Sequence, residues 1–306
     1  MEPRTFFITG ATGFVGAPLV DALRHEGHHV RAWVRDVERA RARLGDGVEL
    51  VATSAGDDAL TGAISGCDAV IHLAGESVAG RRWTDAWKQR IMDSRVDTTR
   101  ALVEACRRAG DGRPAALIST SASGYYGDGG ERALDERAPA GDDFLAEVCK
   151  AWEREAARAR EFGVRVAIVR VGIVLGQGGG ALEKLVQPIR LGVGGPLGSG
   201  RQYMPWIHLR DVTRIFQRAA TDERCDGPLN AAAPAPATNA ELTRAIGKVL
   251  RRPTIMRVPR FALRLAVGEM ADALLASQRV VPAALQRLGF EFSFPELDGA
   301  LRDLLE

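Results

Sequence analysis

Cysteine is scarce and scattered: Cys67, Cys106, Cys149 and Cys225 form no C-x-x-C pair and no cluster with histidine. That spacing implies reduced thiols in a cytoplasmic compartment and no zinc or other metal site. Charge of one sign is also lacking, since 41 Lys and Arg against 39 Asp and Glu leave a formal net charge of +2. A nucleic-acid partner is not expected, because binders of that kind concentrate basic residues on one face. Here arginines alternate with acids, as in Arg35-Asp36-Val37-Glu38-Arg39, the pattern of solvated helix faces. No hydrophobic run is long enough for a membrane span. The strongest candidate, Val164 to Gly176, is short and carries Arg165 and Arg170, so no membrane partner is expected. A secretory leader is not expected either, because a glycine-rich turn begins by Thr9 and cleavage in the usual window would destroy it. Tyrosine is rare as well: Tyr125, Tyr126 and Tyr203 are the full set, and none stands four residues before a lysine.

What the chain does have is regular alternation. The pattern predicts strands at Thr5–Thr9, His29–Val34, Val48–Val51, Ala69–Leu73, Ala115–Ser119 and Arg165–Val171. Between them it predicts helices at Phe14–Glu26, Val37–Leu44, Asp57–Ser65, Thr84–Arg108 and Asp143–Phe162. Short apolar strands alternating with amphipathic helices mean a parallel sheet covered on both faces, so the fold class is a doubly wound α/β domain. Near Gly176 the texture changes. Glycine-dense stretches, 176–180 and 192–200, flank a helix at Leu182–Leu191, and such loops hinge or cover a site. Trp206–Leu209, a helix at Asp211–Ala220 and a strand at Pro228–Ala231 return to the main domain. A helix at Asn239–Leu250 and a mostly helical tail with a short strand at Phe290–Phe294 follow. The predicted organisation is a doubly wound domain over 1–175 plus about 205–233, with 176–204 and 234–306 as a smaller, mostly helical lobe.

The first turn carries the sharpest signal. Thr9-Gly10-Ala11-Thr12-Gly13-Phe14-Val15-Gly16 follows the apolar run Phe6-Phe7-Ile8. Gly10 suits a positive φ, Gly13 lets backbone approach a pyrophosphate, and Gly16 lets the next helix pack on the strand. The helix then points its unpaired N–H groups at the phosphates. At the end of the second strand, Val34 and Arg35 face the position of an adenosine ribose. An arginine there favours the 2′-phosphate of NADP, while the neighbouring Asp36 keeps NAD as the less favoured alternative. Leu73-Ala74-Gly75 closes the fourth strand with small residues that admit the cofactor. Val174, just beyond the Arg165–Val171 strand, completes the cofactor set. Ser121, in the hydroxyl-rich run that leaves the fifth strand, suits the orientation of a carbonyl oxygen.

Together, Thr9-Gly10-x-x-Gly13-x-x-Gly16, Leu73-Ala74-Gly75, the Ser121 run before Tyr126-Gly127 and Trp206-Ile207-His208-x-x-Asp211 resemble the extended short-chain dehydrogenase/reductase superfamily. Arg82-Trp83-Thr84, Asp93-Ser94-Arg95, Gly124-Tyr125-Tyr126-Gly127-Asp128, Trp152-Glu153 and Gly289-Phe290-x-Phe292 are similar to its epimerase-like atypical branch. The resemblance spans nearly the whole chain and implies a Rossmann domain, NADP(H) binding and an oxidoreductase, without fixing the small-molecule substrate. Most superfamily members carry Tyr-x-x-x-Lys on one helix face. Here Lys150 follows Ala146, and a register shifted by one gives Cys149 and Leu145. Tyr125 and Tyr126 are then the replacement candidates for acid/base work beside Ser121 and Lys150. Arg95 stands where the superfamily often has asparagine; it and Arg90 are candidates for cofactor phosphate. Asp211 reads as a helix cap, His208 as a packing residue, and Trp83, Trp87 and Trp152 as core anchors. The leading function is an NADP(H)-dependent oxidoreductase, with a nucleotide-sugar epimerase or dehydratase and a non-catalytic NADPH-binding module as alternatives. The long helices at Thr84–Arg108 and Asp143–Phe162 offer a surface for a homodimer.

Overall fold

The structure, a computed structural model, describes residues 2–306. Its first half follows the alternation of the sequence: β1 (Thr5–Thr9), α1 (Gly16–His25), β2 (His29–Val34), α2 (Val37–Leu44), β3 (Glu49–Ala52), α3 (Gly56–Ile64), β4 (Ala69–His72), α4 (Asp85–Arg108) and β5 (Ala116–Ala122). After a short β6 (Ala133–Leu134) come α5 (Phe144–Ala157), β7 (Arg165–Val171), β8 (Ile173–Leu175), α6 (Leu182–Arg190), β9 (Tyr203–Met204), β10 (Trp206–His208), α7 (Leu209–Thr221) and β11 (Gly227–Ala231). The remainder comprises β12 (Ala237–Thr238), α8 (Asn239–Leu250), α9 (Arg260–Val267), α10 (Met270–Leu275), β13 (Arg279–Val280), α11 (Ala283–Arg287) and α12 (Leu297–Leu305).

Seven strands form one parallel sheet in the order β11-β7-β5-β4-β1-β2-β3. The order reverses between β1 and β4, and ligands of open α/β sheets bind at such a switch point. Strand periodicity sorts the core. Phe6 and Ile8 face one side with Leu19, Leu23, Ile215 and Phe216 of α1 and α7. Phe7 faces the other with Leu60, Ile64, Leu102 and Cys106 of α3 and α4. A third apolar cluster joins Leu182, Val186 and Ile189 of α6 to Leu242 and Ile246 of α8 and Leu301 and Leu304 of α12. Part of the tail stays with the main sheet: Ala284 and Leu285 of α11 pack into the first cluster.

Three elements depart from the sequence expectation. β5 runs on to Ala122, placing Ser121 inside a strand instead of a loop. The helix predicted over Asp143–Phe162 ends at Ala157 and tightens into a 3-10 turn over Arg158–Phe162. Phe290–Phe294 pairs with no strand. The amides of Ser293 and Phe294 donate to the two carboxylate oxygens of Asp211, at 2.7 and 2.9 Å, and so have no use for a ladder. Asp211 therefore clamps the tail, while the α7 cap is His208, whose Nδ1 accepts from the Arg210 amide at 3.0 Å.

Candidate functional site

The cradle is built from backbone. Gly10 has a φ of 71°, and a Cβ there would lie 2.8 Å from the carbonyl carbon of Leu73, so a side chain is excluded by both conformation and space. Helix α1 starts at Gly16 with no side-chain cap and no acidic residue in its first turn. Contrast α2, α4 and α5, capped by Asp36, Thr84 and Asp143. Of these only α1 lacks a side-chain cap and so turns its positive dipole end to an external anion, although the Ala17 amide already donates to the Gly13 carbonyl and Pro18 has no N–H. The amides open onto a cleft of about 640 Å³ lined by Thr9, Gly10, Thr12, Gly13, Val34, Arg35, Leu73, Ala74 and Gly75. The bare Gly10 cradle and the uncapped helix fit a dinucleotide.

A buried relay holds the two sides of this cleft together. The Ala74 amide donates to Thr9 Oγ1 at 3.3 Å, Thr9 Oγ1 lies 2.7 Å from His72 Nδ1, His72 Nε2 lies 3.0 Å from Thr99 Oγ1, and Thr99 donates to the Arg95 carbonyl at 2.6 Å. With Thr99 committed as a donor there, Nε2 must carry the imidazole proton and Nδ1 must accept from Thr9. Every partner is satisfied only by the neutral ring. Complete burial, with the Arg95 cation nearby, accordingly pulls the His72 pKa down to about 3.

Around the mouth, Arg35 is 84% exposed and approaches Glu76 at 3.7 Å, and Arg90 approaches the same oxygen at 3.4 Å. Asp36 is spent on the α2 cap, accepting from the Arg39 amide at 3.0 Å. Arg95 lies under the Leu73–Glu76 loop, donating to the Glu76 carbonyl at 3.0 Å and the Ile91 carbonyl at 3.1 Å. Its guanidinium sits 5.2 Å from the Trp152 ring, and a Cβ at Gly75 would come within 3.3 Å of its Cζ. Burial lowers its pKa, with Cys149 and Glu76 opposing. Arg95 therefore props the loop rather than reaching into the cleft. Phe14 points the other way: a Cβ on Gly176 or Gly179 would meet its ring at 2.9 Å, so the glycines of 176–180 make room for it. Val15 and Val174 each pack on the first apolar cluster.

The catalytic candidates fall into a second, side-chain network. Ser121 is 1% exposed and donates to Glu153 at 2.6 Å. Glu153 is held by both arms of Arg170, at 2.9 and 2.8 Å. Arg170 also donates to the Tyr126 hydroxyl at 3.0 Å, which donates to Asn230 at 2.7 Å. Glu136 accepts the amides of Asn230 and Ala284 at 3.1 and 3.0 Å. Burial alone would lower the Arg170 pKa, but the Glu153 fork and Tyr126 raise it overall. Burial pushes the Tyr126 phenol up to about 12 against the pull of Arg170.

These placements correct two expectations. Tyr126 has both its proton and its lone pair in use inside the core, so it braces the network and is not an accessible acid. Lys150 ion-pairs with Glu147 on a half-exposed face of α5 and does not join Ser121. The register of α5 instead turns Cys149 inward, its Sγ 3.7 Å from the Ala122 carbonyl, while Leu145 lies under Gly124. The inward pair thus matches the shifted register, a thiol and an isobutyl group. Burial lifts the Cys149 pKa to about 11, hydrogen bonds to Ser121 and Ala122 notwithstanding. Tyr125 is half-buried, its ring 3.4 Å from the Arg170 guanidinium carbon.

A second cleft, about 440 Å³, opens beside Leu145, which packs on Gly124 just beyond β5; Ser121 itself does not line it. Trp83, Asp128, Asp143, Phe144 and Leu145 line one wall, and Arg260, Glu269, Asp272 and Leu275 of the tail line the other. Trp83, read from sequence as a core anchor, is a half-buried wall residue edge-on to Phe144 at 5.2 Å. His72, Glu76, Arg170 and Asn230 were not singled out by the sequence reading, and Glu153 entered it only as part of the Trp152-Glu153 resemblance. The available signal was chemical: a histidine closing the apolar run Ala69-Val70-Ile71 and an arginine inside Val166–Val171 must each find buried partners.

A family model described as NAD dependent epimerase/dehydratase family matches residues 6–232, and one described as a domain of unknown function (DUF1731) matches 258–304. Epimerase family protein Mb2239 of Mycobacterium bovis is 42% identical over 295 residues, covering 96% of this chain and 95% of its own. The crystal structure of human epimerase family protein SDR39U1 (isoform 2) with NADPH superposes with a TM-score of 0.88 at 34% identity, covering 98% and 99% of the two chains. A nucleoside-diphosphate sugar epimerase from Corynebacterium glutamicum matches with a TM-score of 0.79 at 34% identity, over 99% of this chain and 58% of that one. No described helix is long and apolar enough to cross a membrane. With a bare-backbone cradle at the switch point and a family match over most of its length, the chain belongs to the NAD dependent epimerase/dehydratase family and has a nicotinamide-cofactor site.

Proposed function

We propose that this protein is an NADP(H)-dependent oxidoreductase acting on a carbonyl or carbinol carbon of a small molecule held in the Trp83–Leu275 cleft. The observation that carries the reading is the division of labour at the end of β2: Asp36 is consumed by a helix cap, leaving Arg35 as the exposed group beside the cradle. The NADPH in the human relative's structure supports the same cofactor. When bound, the nicotinamide supplies or accepts hydride.

The chain's own residues do the rest. The free amides of the Gly10–Gly16 turn would hold the pyrophosphate, that of Gly13 being already bonded to the Gly10 carbonyl, and Arg35 would pair with the 2′-phosphate in place of its long contact with Glu76. Ser121 presents a lone pair to a substrate hydroxyl, because its own proton points at Glu153 Oε1. In the oxidising direction the substrate proton moves to Ser121 Oγ and the serine proton moves to Glu153. In reduction the same path runs backwards. Arg170 would fix the carboxylate while this happens. This arrangement replaces the Tyr/Lys pair, whose places are held by Leu145 and Cys149.

The test is NADPH consumption over a panel of aldehydes and ketones with the wild type, Ser121→Ala and Tyr126→Phe. Ser121→Ala loses roughly 10²- to 10³-fold in kcat while retaining NADPH binding. Tyr126→Phe keeps its rate and loses thermal stability. Absence of NADPH binding by calorimetry overturns the proposal. A nucleotide-sugar epimerase is the second reading, supported by the name of the Corynebacterium relative; it predicts turnover of a sugar nucleotide with no net NADPH consumed. Equal rates for wild type and Ser121→Ala on every substrate found favour the non-catalytic NADPH-binding module.

A further inference from the structure

The six exposed large hydrophobics identified among the described residues all lie on two segments: Leu191 (72%) and Val193 (53%) on one, Ile255 (82%), Met256 (53%), Phe261 (75%) and Leu265 (79%) on the other. The segments run side by side. Val258 donates to the Pro196 carbonyl at 3.0 Å, Gly198 donates to the Val258 carbonyl at 2.8 Å, and Gly195 has no room for a Cβ against the Met256 backbone. Isolated exposed hydrophobics are ordinary; all of them gathered on one strip is the signature of a surface that something covers.

The strip is also basic. Residues 251–268 contain five arginines and not one Asp or Glu, in a chain whose net charge is only +2. Arg260 and Arg264 are tied to Asp272 by ion pairs of 2.8 Å. Arg251, Arg252 and Arg257 are exposed and, among the described residues, make no side-chain hydrogen bond or ion pair. On α9 the buried contact is Leu263, whereas Phe261 and Leu265, four residues apart, form an outward apolar face.

We infer that this strip docks the protein on an anionic membrane surface, with Ile255, Met256, Phe261 and Leu265 entering the headgroup boundary and Arg251, Arg252 and Arg257 meeting lipid phosphates. Apolar side chains flanked by arginine on a short interfacial helix are the elements of such binding. A second copy of this chain fits poorly, because a two-fold contact would bring Arg251, Arg252 and Arg257 against themselves, while the carboxylates that follow, Glu269 and Asp272, are already paired with Lys88 and with Arg260 and Arg264. A bilayer is the occupant that matches both features at once, its acyl boundary taking the outward apolar side chains and its phosphates the free arginines beside them. The inference revises the sequence expectation of no membrane contact, which rested on the lack of a span. It places the rim of the Trp83–Leu275 cleft at the lipid, since Arg260 lines that cleft and Arg82 donates to the Leu265 carbonyl at 2.7 Å.

The experiment is co-sedimentation of the full chain with vesicles of mixed phosphatidylglycerol and phosphatidylcholine, against phosphatidylcholine alone, at low and high salt. The protein pellets with the mixed vesicles at low salt only. Replacing Arg251, Arg252 and Arg257 together by Gln weakens this roughly 100-fold, about fivefold for each arginine. Phe261→Ser with Leu265→Ser abolishes it, and both variants keep the wild-type melting temperature. Failure to pellet with mixed vesicles, or pelleting that survives the Phe261/Leu265 change, overturns the inference. So does self-association in sedimentation velocity that this double variant abolishes without any vesicle binding, which assigns the strip to a second copy. Neither readout involves NADPH or turnover, so the result stands apart from the proposed oxidoreductase activity.

Discussion

The two ends of the ligand crevice are built on opposite principles. At the β1–β2 end, backbone forms the site: Gly10 and Gly16 clear space, α1 withholds a cap, and the side chains at the rim are exposed and loosely paired. At the β5–β7 end, side chains form it, with Ser121, Glu153, Arg170, Tyr126 and Asn230 drawn from five separate segments and nearly every polar atom satisfied. The first end is shaped to receive charge and the second is already neutralised. A dinucleotide needs the first. The second holds the Ser121 hydroxyl in a fixed orientation towards Glu153.

This contrast is open to attack in order of effect. Arg170→Met leaves the Glu153 carboxylate half-buried and unpaired, and should cost about 3–5 kcal/mol of unfolding free energy by denaturant titration. A loss below about 1 kcal/mol would mean that the network is no more than a surface ion pair. At the other end Arg35→Ala should leave stability untouched and weaken NADPH roughly 10- to 100-fold by calorimetry, with NADH little changed. Equal losses for both cofactors would erase the assignment of Arg35 to the 2′-phosphate.

His72 belongs to the first end, held between Thr9 and Thr99, and its effect is read with pH. Its folded pKa is depressed from 6.5 to about 3, so below the unfolded pKa the unfolded chain binds a proton that the native one refuses. Its contribution is complete above pH 6.5 and drains away as pH falls towards 3. Between about pH 6.5 and 5 the loss should be about 2 kcal/mol, and a His72→Gln variant should lack that slope. Smallest is Asp36→Ala, which should cost about 1 kcal/mol through the α2 cap without shifting the preference for NADPH over NADH. A shift towards NADPH would show that Asp36 had been competing for the ribose.

Legibility followed the same division. The β1 cradle could be read because its requirements are local: a positive φ at Gly10 and a bare approach at Gly13 and Gly16 leave their mark in consecutive residues. The bounds of β1, β2, α2 and β7 likewise emerge from periodicity and punctuation. The second end could not be read, since Ser121 and Glu153 lie 32 residues apart and Tyr126 and Asn230 lie 104 apart. Lys150 illustrates the difficulty. Its spacing resembled a motif, but a helix turns about 100° per residue, and the face of α5 that meets β5 carries Cys149.

The sequence by itself determined the doubly wound sheet, the phosphate-binding turn and the absence of the Tyr-x-x-x-Lys pair, because each is written in neighbouring residues or in short-period hydrophobicity. Tertiary structure alone decided that Tyr126 is a brace, that His72 is held neutral, that Asp211 clamps the tail and that the apolar residues of 191–193 and 255–265 share one strip. Those facts depend on which distant groups packing brings within 3 Å or leaves uncovered, and burial fixes the protonation and pairing of a side chain only once its neighbours are in place.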